Sequence, residues 1–316
     1  MFKNEEVQAL PPNAIWIGTE WTYQNRSEDE IQAYATRLKE AGIGTVYAWV
    51  SWLKEDGTWA GTTANSNQFI DVQTDVQRFV TQFKNAYPEA DLYGWIGFPV
   101  ELGPNNYRLD DTTLHRTMAT FSKSVVEDLG FDGVFLNVEQ VWNDNADDFV
   151  AMLMTVRQEL GANVPVAVAI PPDWSPLNAD IPKPPLIRPG TEWDTAFKQR
   201  VALLTDQMAI MAYNSGLDDP NDYADWVAYQ VEVYARAIAE LDAGAALLIG
   251  IPTYDNELPG HNVIAENVPT AITGVRRGLS NLGSAAINVQ GIAIYAGWTT
   301  DDDEWEQYLT LWGNRN

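Results

Sequence analysis

The chain has 316 residues, 46% of them hydrophobic, and carries 44 Asp and Glu against 19 Lys and Arg, for a formal charge of −25. A surface this acidic repels phosphate backbones and anionic lipid, which excludes nucleic acid and membrane surfaces as principal partners. The absence of cysteine excludes disulfides, thiolate metal sites and a cysteine nucleophile. No apolar run approaches the ~20 residues of a membrane span. Met1 to Leu10 is too polar for the apolar region of a signal peptide, so an extracellular or cell-surface form would have lost its signal.

Taken in order, the chain alternates strand and helix. Ala14 to Gly18 is a short apolar strand ending at Thr19, Glu20 and Trp21. Ser27 opens a helix, with Glu30 completing a capping box, and Gly42 follows its end. Thr45 to Val50 is the second strand. A helix near Asp71 to Tyr87 is stopped by Pro88, and Leu92 to Phe98 is the third strand, leading to Pro99 and Glu101. A helix over Thr112 to Leu129 precedes a strand at Val134 to Val138. Asn145 caps the next helix, Ala146 to Leu160, and Val164 to Ile170 is the fifth strand. Pro171 to Pro189 is too rich in proline for helix or sheet and reads as a long functional loop holding Asp173 and Trp174.

The second half repeats the rhythm. A helix around Trp193 to Leu204 leads to the strand Gln207 to Met211, which ends in Ala212, Tyr213, Asn214 and Ser215. A helix over Tyr223 to Leu241 is followed by the strand Ala246 to Ile251 and the polar run Thr253 to Glu257. A helix over Pro269 to Leu282 precedes the last strand, Gly291 to Tyr295, and Trp298. Asp301 to Asp303 start a final helix, where acids favour the positive end of the helix dipole. Eight strand-helix units predict one α/β domain over residues 1–316, a single (β/α)8 TIM barrel. No Gly-rich phosphate loop follows the first strand, and no cofactor or metal is expected.

The candidate chemistry lies at Gly130 to Trp142. Asn137 and Glu139 break an apolar parallel strand at its carboxyl end, the active-site end of such a barrel, and a period of two puts them on one side. Glu139 is the candidate general acid, its pKa raised by apolar neighbours and nearby carboxylates. The 13 tryptophans include Trp21, Trp52, Trp59, Trp142, Trp174 and Trp298 at strand ends or in the following loops, where aromatic faces suit a saccharide. Trp16 and Trp95 are expected between barrel and helices. His115 and His261 are expected at the surface.

These strand ends together resemble the chitinase-like barrels of glycoside hydrolase family 18. Gly130 to Glu139 resembles their fourth-strand signature D-x-x-D-x-D-x-E: Asp132 and Glu139 match its ends, while Phe135 and Asn137 replace the two middle aspartates. Asp-Gly-Val-Phe-Leu-Asn-Val-Glu also resembles the Asn-x-Glu strand of family 85 endo-β-N-acetylglucosaminidases. Met-Ala-Tyr-Asn at Met211 to Asn214 and Gly-Ile-Pro-Thr-Tyr at Gly250 to Tyr254 are similar to the family 18 sixth- and seventh-strand motifs, and Trp298 falls where that family has a tryptophan floor. The resemblance implies a retaining, substrate-assisted hydrolase of N-acetylhexosamine-containing glycans or peptidoglycan-like polymers. Glu139 would act as acid/base, Asn137 would orient the 2-acetamido group, Tyr213 would bond its carbonyl and Asn214 would support the ring.

Substrate contacts are expected from Trp298, Asn214, Asp132, Glu20, Glu101, Trp174 and Tyr254, with an oligosaccharide or polysaccharide as the partner. One alternative keeps Glu139 but pairs it with a protein carboxylate among Glu20, Glu101, Asp173, Asp255 and Glu257, since Gly-Phe-Asp-Gly-Val-Phe-Leu also resembles galactosaminidase-like barrels. Another is a catalytically silent carbohydrate-binding barrel. The net charge makes an independent prediction. Self-repulsion is screened over about 10 Å at 0.1 M salt and about 3 Å at 1 M, so Tm should rise on adding moderate NaCl. A steady fall in scanning calorimetry would show that charge does not limit stability.

Overall fold

The computed structural model describes residues 13–61, 67–103, 105–241, 244–254 and 261–313. Eight parallel strands close in sequence order into a barrel: β1 (Asn13–Ile17), β2 (Ile43–Trp52), β3 (Asp91–Pro99), β4 (Gly133–Glu139), β5 (Val166–Ile170), β6 (Gln207–Ile210), β7 (Ala246–Pro252) and β8 (Val289–Tyr295). β1 pairs with β8 through Ala14 with Ala293 and Ile15 with Ile294, leaving no free edge. The helices are α1 (Thr19–Thr22), α2 (Glu28–Glu40), α3 (Gln73–Ala86), α4 (Thr112–Glu127), α5 (Ala146–Leu160), α6 (Thr195–Ala202), α7 (Pro220–Ala239), α8 (Val268–Leu282) and α9 (Asp302–Tyr308). No helix among the described residues is long and apolar enough to cross a membrane.

Local chemistry explains the boundaries. Ser27 and Glu30 form the expected reciprocal cap of α2, and Asp301 and Glu304 cap α9 in the same way. α5 has the expected limits, but the side chain of Asn145 does not cap it. Its Oδ1 instead accepts the backbone N–H of Trp142 at 2.7 Å, shaping the loop after β4.

Two apolar layers follow from strand alternation. Outward residues such as Ile15, Val46, Leu136 and Val168 pack against the helices. Inward residues fill the lumen: Trp16, Tyr47, Tyr93, Trp95 and Phe135 from β1 to β4, against Ala167, Ala169, Ala209 and Ala293 from β5, β6 and β8. Large rings from one half of the barrel thus occupy space left by alanines in the other. Trp16 and Trp95 therefore lie inside the barrel, not between barrel and helices as expected. Inward and outward strand positions are both apolar here, so composition alone did not separate the two layers.

The Phe135 ring stacks on Tyr47 with centroids 4.1 Å apart and meets Trp16 edge-on at 5.6 Å. Across the lumen, the Tyr47 hydroxyl donates to Gln207 Oε1 at 2.9 Å. Phe135 is fully buried. Phe135→Ala should cost about 3–5 kcal/mol. Phe135→Asp should cost more by placing a carboxylate among rings. Urea denaturation checks both, and an aspartate variant as stable as the parent would show that this layer admits water.

Candidate active site

Phe135, Asn137 and Glu139 share the lumen side of β4. Phe135 lies in the aromatic layer, Asn137 one step above it and Glu139 at the rim, level with Gly97 and Pro99 of β3 respectively. The Glu139 carbonyl accepts the N–H of Val100 at 2.6 Å, which ties the strand end to the following loop of β3. Glu139 reaches solvent through an open cavity, yet the walls of the mouth remove much of its carboxyl hydration. That desolvation pushes its pKa above the ordinary glutamate value, opposed by the neighbouring Asn137 side-chain amide. Asn137 Oδ1 is itself buried with no protein partner.

Beside Glu139 is a cavity of about 340 Å³, within the range of small-ligand sites. Its walls include Trp142, Pro171, Arg188, Tyr213 and Asn214. Tyr213 is buried and stacks on Tyr295 with centroids 4.7 Å apart, while Tyr254 stands perpendicular to both. Burial first, then the adjoining Tyr295 and the Glu139 carboxylate, push the Tyr213 hydroxyl far above its ordinary pKa, so it remains a proton donor. Gly250 makes room for the neighbouring strand and for that ring: a Cβ there would lie 2.6 Å from the Ile210 carbonyl oxygen and 3.0 Å from Tyr213 Cε1. The glycine of the Gly-Ile-Pro motif thus has a steric reason.

Trp298 lies at the mouth with 43% of its surface exposed. It is nearly parallel to Trp95 at 6.4 Å and meets Tyr295 edge-on at 5.6 Å. Trp95 therefore belongs to the aromatic floor, and its Nε1 is buried without a protein partner. Strand alternation puts Trp95 on one side of β3, but only closure of the barrel shows that side to be the inner one. Glu20 is at the same mouth. A Cβ on Gly18 would lie 2.6 Å from its Oε2 and 3.2 Å from Trp298, and Glu20 Oε1 accepts the N–H of Gly18 at 2.9 Å. Burial pushes its carboxyl pKa up.

Two fully buried carboxylates hold the loops that carry these groups. Glu266 accepts the backbone N–H groups of Asn214, Ser215 and Gly216 at 2.6, 2.8 and 2.9 Å, and the Ser215 hydroxyl at 2.6 Å. It holds Asn214 at φ 55, a left-handed conformation that asparagine tolerates. Asn214 Oδ1 is buried without a protein partner. Glu266 lies well beyond the strand end it serves and carries no motif, so it went unrecognised in the sequence. His261 and His115 are buried, contrary to expectation. His261 Nδ1 is 3.3 Å from Glu266 Oε2, and His115 Nε2 is 2.6 Å from the Leu109 carbonyl.

Asp173 is the second anchor. It pairs with Lys198 at 2.5 Å and accepts the Trp193 N–H at 3.0 Å and the Tyr234 hydroxyl at 2.9 Å. With its acceptors occupied and no exposure, it is not placed to act as a second carboxylate at the cavity.

Other candidates lie elsewhere. Asp132 precedes β4 at the opposite end of the barrel, where it pairs with Lys84 and accepts the Leu92 N–H at 3.0 Å. Seven residues of strand, roughly 23 Å at 3.3 Å each, separate it from the mouth, so it cannot contact a substrate held at Glu139. Trp174 is buried in its loop with Lys183 over its ring at 5.8 Å, and its face is not part of the cavity wall. Glu101 is exposed on the loop after β3, in a bridge to Tyr107. Trp21 stacks on Tyr34 and Trp59 on Phe121, both against helices. Asp255 and Glu257 lie outside the described residues.

No protein-family model matches the chain, and no curated protein sequence matches it. Its fold is similar to that of a chitinase from Bacteroides thetaiotaomicron, with a TM-score of 0.60 and 11% identity over 96% of each chain. A family 18 chitinase from Cycas revoluta, solved with (GlcNAc)4, gives a TM-score of 0.57 and 12% identity over 95% of this chain and 99% of that one. The spore cortex-lytic enzyme SleL of Bacillus cereus gives 0.57 and 11%, over 94% of this chain and 73% of that one. At these identities the likeness is one of fold.

The Glu139–Asn137 pair gives a pH prediction with a defined sign. An acid with a raised pKa stays protonated to higher pH and loses its proton as pH rises through that value. Because the Asn137 contact lowers the pKa, Asn137→Ala should move the Glu139 titration to higher pH, measurable by carbon-detected NMR of labelled glutamate. The linked stability contribution is present at acidic pH and lost as pH rises through the folded pKa. Glu139→Gln should therefore raise Tm more at pH 8 than at pH 4. A titration shifted downward, or a variant less stable at pH 8, would contradict the stated cause.

Proposed function

We propose that the chain is a retaining glycoside hydrolase that cleaves N-acetylhexosamine-containing glycans by substrate assistance. The observation that carries this reading is the convergence of Glu139, Asn137 and Tyr213 on the mouth of one barrel, above an aromatic floor. Glycosidic cleavage needs an acid for the leaving oxygen and stabilisation of an oxocarbenium-like centre. Glu139 supplies the proton, and its raised pKa keeps a larger protonated fraction available near neutral pH.

The 2-acetamido carbonyl serves as nucleophile in this mechanism and forms an oxazoline-type ring at the anomeric carbon. The free Oδ1 of Asn137 accepts the acetamido N–H, while the Tyr213 hydroxyl donates to the carbonyl oxygen. Their placement fixes the attack geometry with uncharged dipoles. Trp298, backed by the buried Trp95, offers aromatic surface to the sugar. The fold neighbours solved with (GlcNAc)4 and with allosamidin support a carbohydrate as ligand. The partner role assigned to Asp173 in the two-carboxylate alternative loses support from its occupied hydrogen bonds.

Glu139→Gln should reduce kcat by about 10² to 10⁴ on glycans with poor leaving groups, and by less on aryl glycosides. Asn137→Ala should cost about 2.7–4 kcal/mol of transition-state stabilisation, yet use a preformed sugar oxazoline far better than the parent glycoside. Asn137→Asp should retain activity. Turnover of matched N-acetylated and de-N-acetylated oligosaccharides tests the mechanism. Equal cleavage of the two by the parent would reject substrate assistance, and binding without cleavage of any glycan would favour the lectin-like alternative.

A further inference from the structure

Arg188 is distinctive among the described cationic residues. Each of the others contacts a carboxylate, a backbone carbonyl or a hydroxyl. Arg188 instead lines the cavity beside Glu139, and its guanidinium lies over the Trp142 ring at 5.8 Å without a protein oxygen to receive its N–H groups. In a chain of 44 acids and 19 bases, pairing is easily available. Arg188 is exposed, so water solvates it in the free protein and its guanidinium is available to an anion that enters the cavity of the candidate acid.

Its loop is tied at several points. The Arg188 carbonyl accepts the Thr191 hydroxyl at 2.7 Å. Two residues earlier, the Leu186 N–H donates to the Ser215 carbonyl at 3.0 Å, joining this loop to the one held by Glu266. Trp142 lies 5.8 Å from the guanidinium carbon, and the guanidinium N–H groups have no protein acceptor, so they are available to a planar, doubly accepting anion. A carboxylate fits that fork, whereas a neutral hydroxyl would use only part of it. The wider acidic field is screened over about 8 Å at physiological salt, so a contact at this cation is decided locally.

We propose that Arg188 is a specificity-determining residue that binds a carboxylate carried by the glycan, making the preferred substrate an acidic N-acetylhexosamine polymer. The proposal rests on the hydrolase reading above and narrows its substrate class. The carboxylate has two chemical sources, the lactyl ether of a muramic acid residue or a neighbouring uronic acid.

The test compares each source with its own methyl ester, which keeps the sugar and removes the charge. kcat/KM would be measured for oligosaccharides alternating N-acetylglucosamine and N-acetylmuramic acid, and for hyaluronan oligosaccharides, with the parent, Arg188→Ala and Arg188→Lys. Calorimetric binding of the same pairs to Glu139→Gln gives a readout without turnover. The parent should prefer acid over ester by about ten- to a hundredfold in at least one pair, and that pair identifies the source. Arg188→Ala should bring the ratio close to one, and Arg188→Lys should restore part of it.

A parent that treats acid and ester alike, or a preference that survives in Arg188→Ala, would overturn the assignment. If glycans are cleaved without regard to the carboxylate, the hydrolase reading stands and the Arg188 inference falls. If Glu139→Gln binds acid over ester through Arg188 but the parent cleaves nothing, the carboxylate site stands and the hydrolase reading falls.

Discussion

The contact between Phe135 and Tyr47 determines what the upper half of the barrel can do. Their stacked rings, with Trp16 against the edge, close the lumen one step below Asn137. A parallel strand alternates with a period of two, so a residue that plugs the lumen necessarily shares its side with the residues two and four positions on. Asn137 and Glu139 are therefore raised onto an apolar floor. The desolvation that lifts the Glu139 pKa and the burial of Asn137 Oδ1 belong to this same arrangement. An aspartate in place of Phe135 would bring a charge, and the water to solvate it, beneath the acid.

Above that floor, two buried carboxylates hold the loops in place. Glu266 collects three successive backbone N–H groups and a serine hydroxyl, and Asp173 collects an ammonium, an indole-bearing residue's N–H and a phenol. Buried ions cost a great deal when unpaired and little net when every lone pair is used. Satisfied in this way, they hold irregular loops that have no ladder of their own. The candidate site is thus assembled from strands that define its floor and from two anchored loops that define its wall, joined through the Leu186–Ser215 hydrogen bond.

The mouth combines aromatic surface with polar atoms that have no protein partner. Asn137 Oδ1, Asn214 Oδ1 and Trp95 Nε1 are all buried in this condition. Buried polar groups ordinarily find partners, so these three atoms leave hydrogen-bonding capacity unused at the mouth. The charged groups at the mouth are Glu139, Glu20 and Arg188, and the other polar groups there are uncharged.

Alternation of strand and helix was legible along the whole chain, because parallel strands buried on both faces are continuous apolar runs and the helix caps have local chemistry. The closed barrel follows from that alternation, and so does the shared side of Asn137 and Glu139, since a period of two needs no tertiary information. Other properties depend on residues far apart in sequence. Asp132 matches a signature position yet faces Lys84 at the opposite end of the strand, because motif spacing does not say how far along the strand the mouth begins. Trp95 and Trp16 look like packing residues until closure turns one face of their strands inward. Asp173 resembles a strand-end acid until Lys198 and Tyr234, 25 and 61 residues away, consume its oxygens. Glu266 and His261 have no signature at all, since their roles consist of contacts with backbone groups about 50 residues earlier and with each other. Local patterns reveal elements and the sides of strands because those depend on neighbours in sequence. Burial, pairing and charge state were decided only when the barrel brought distant residues to the same place.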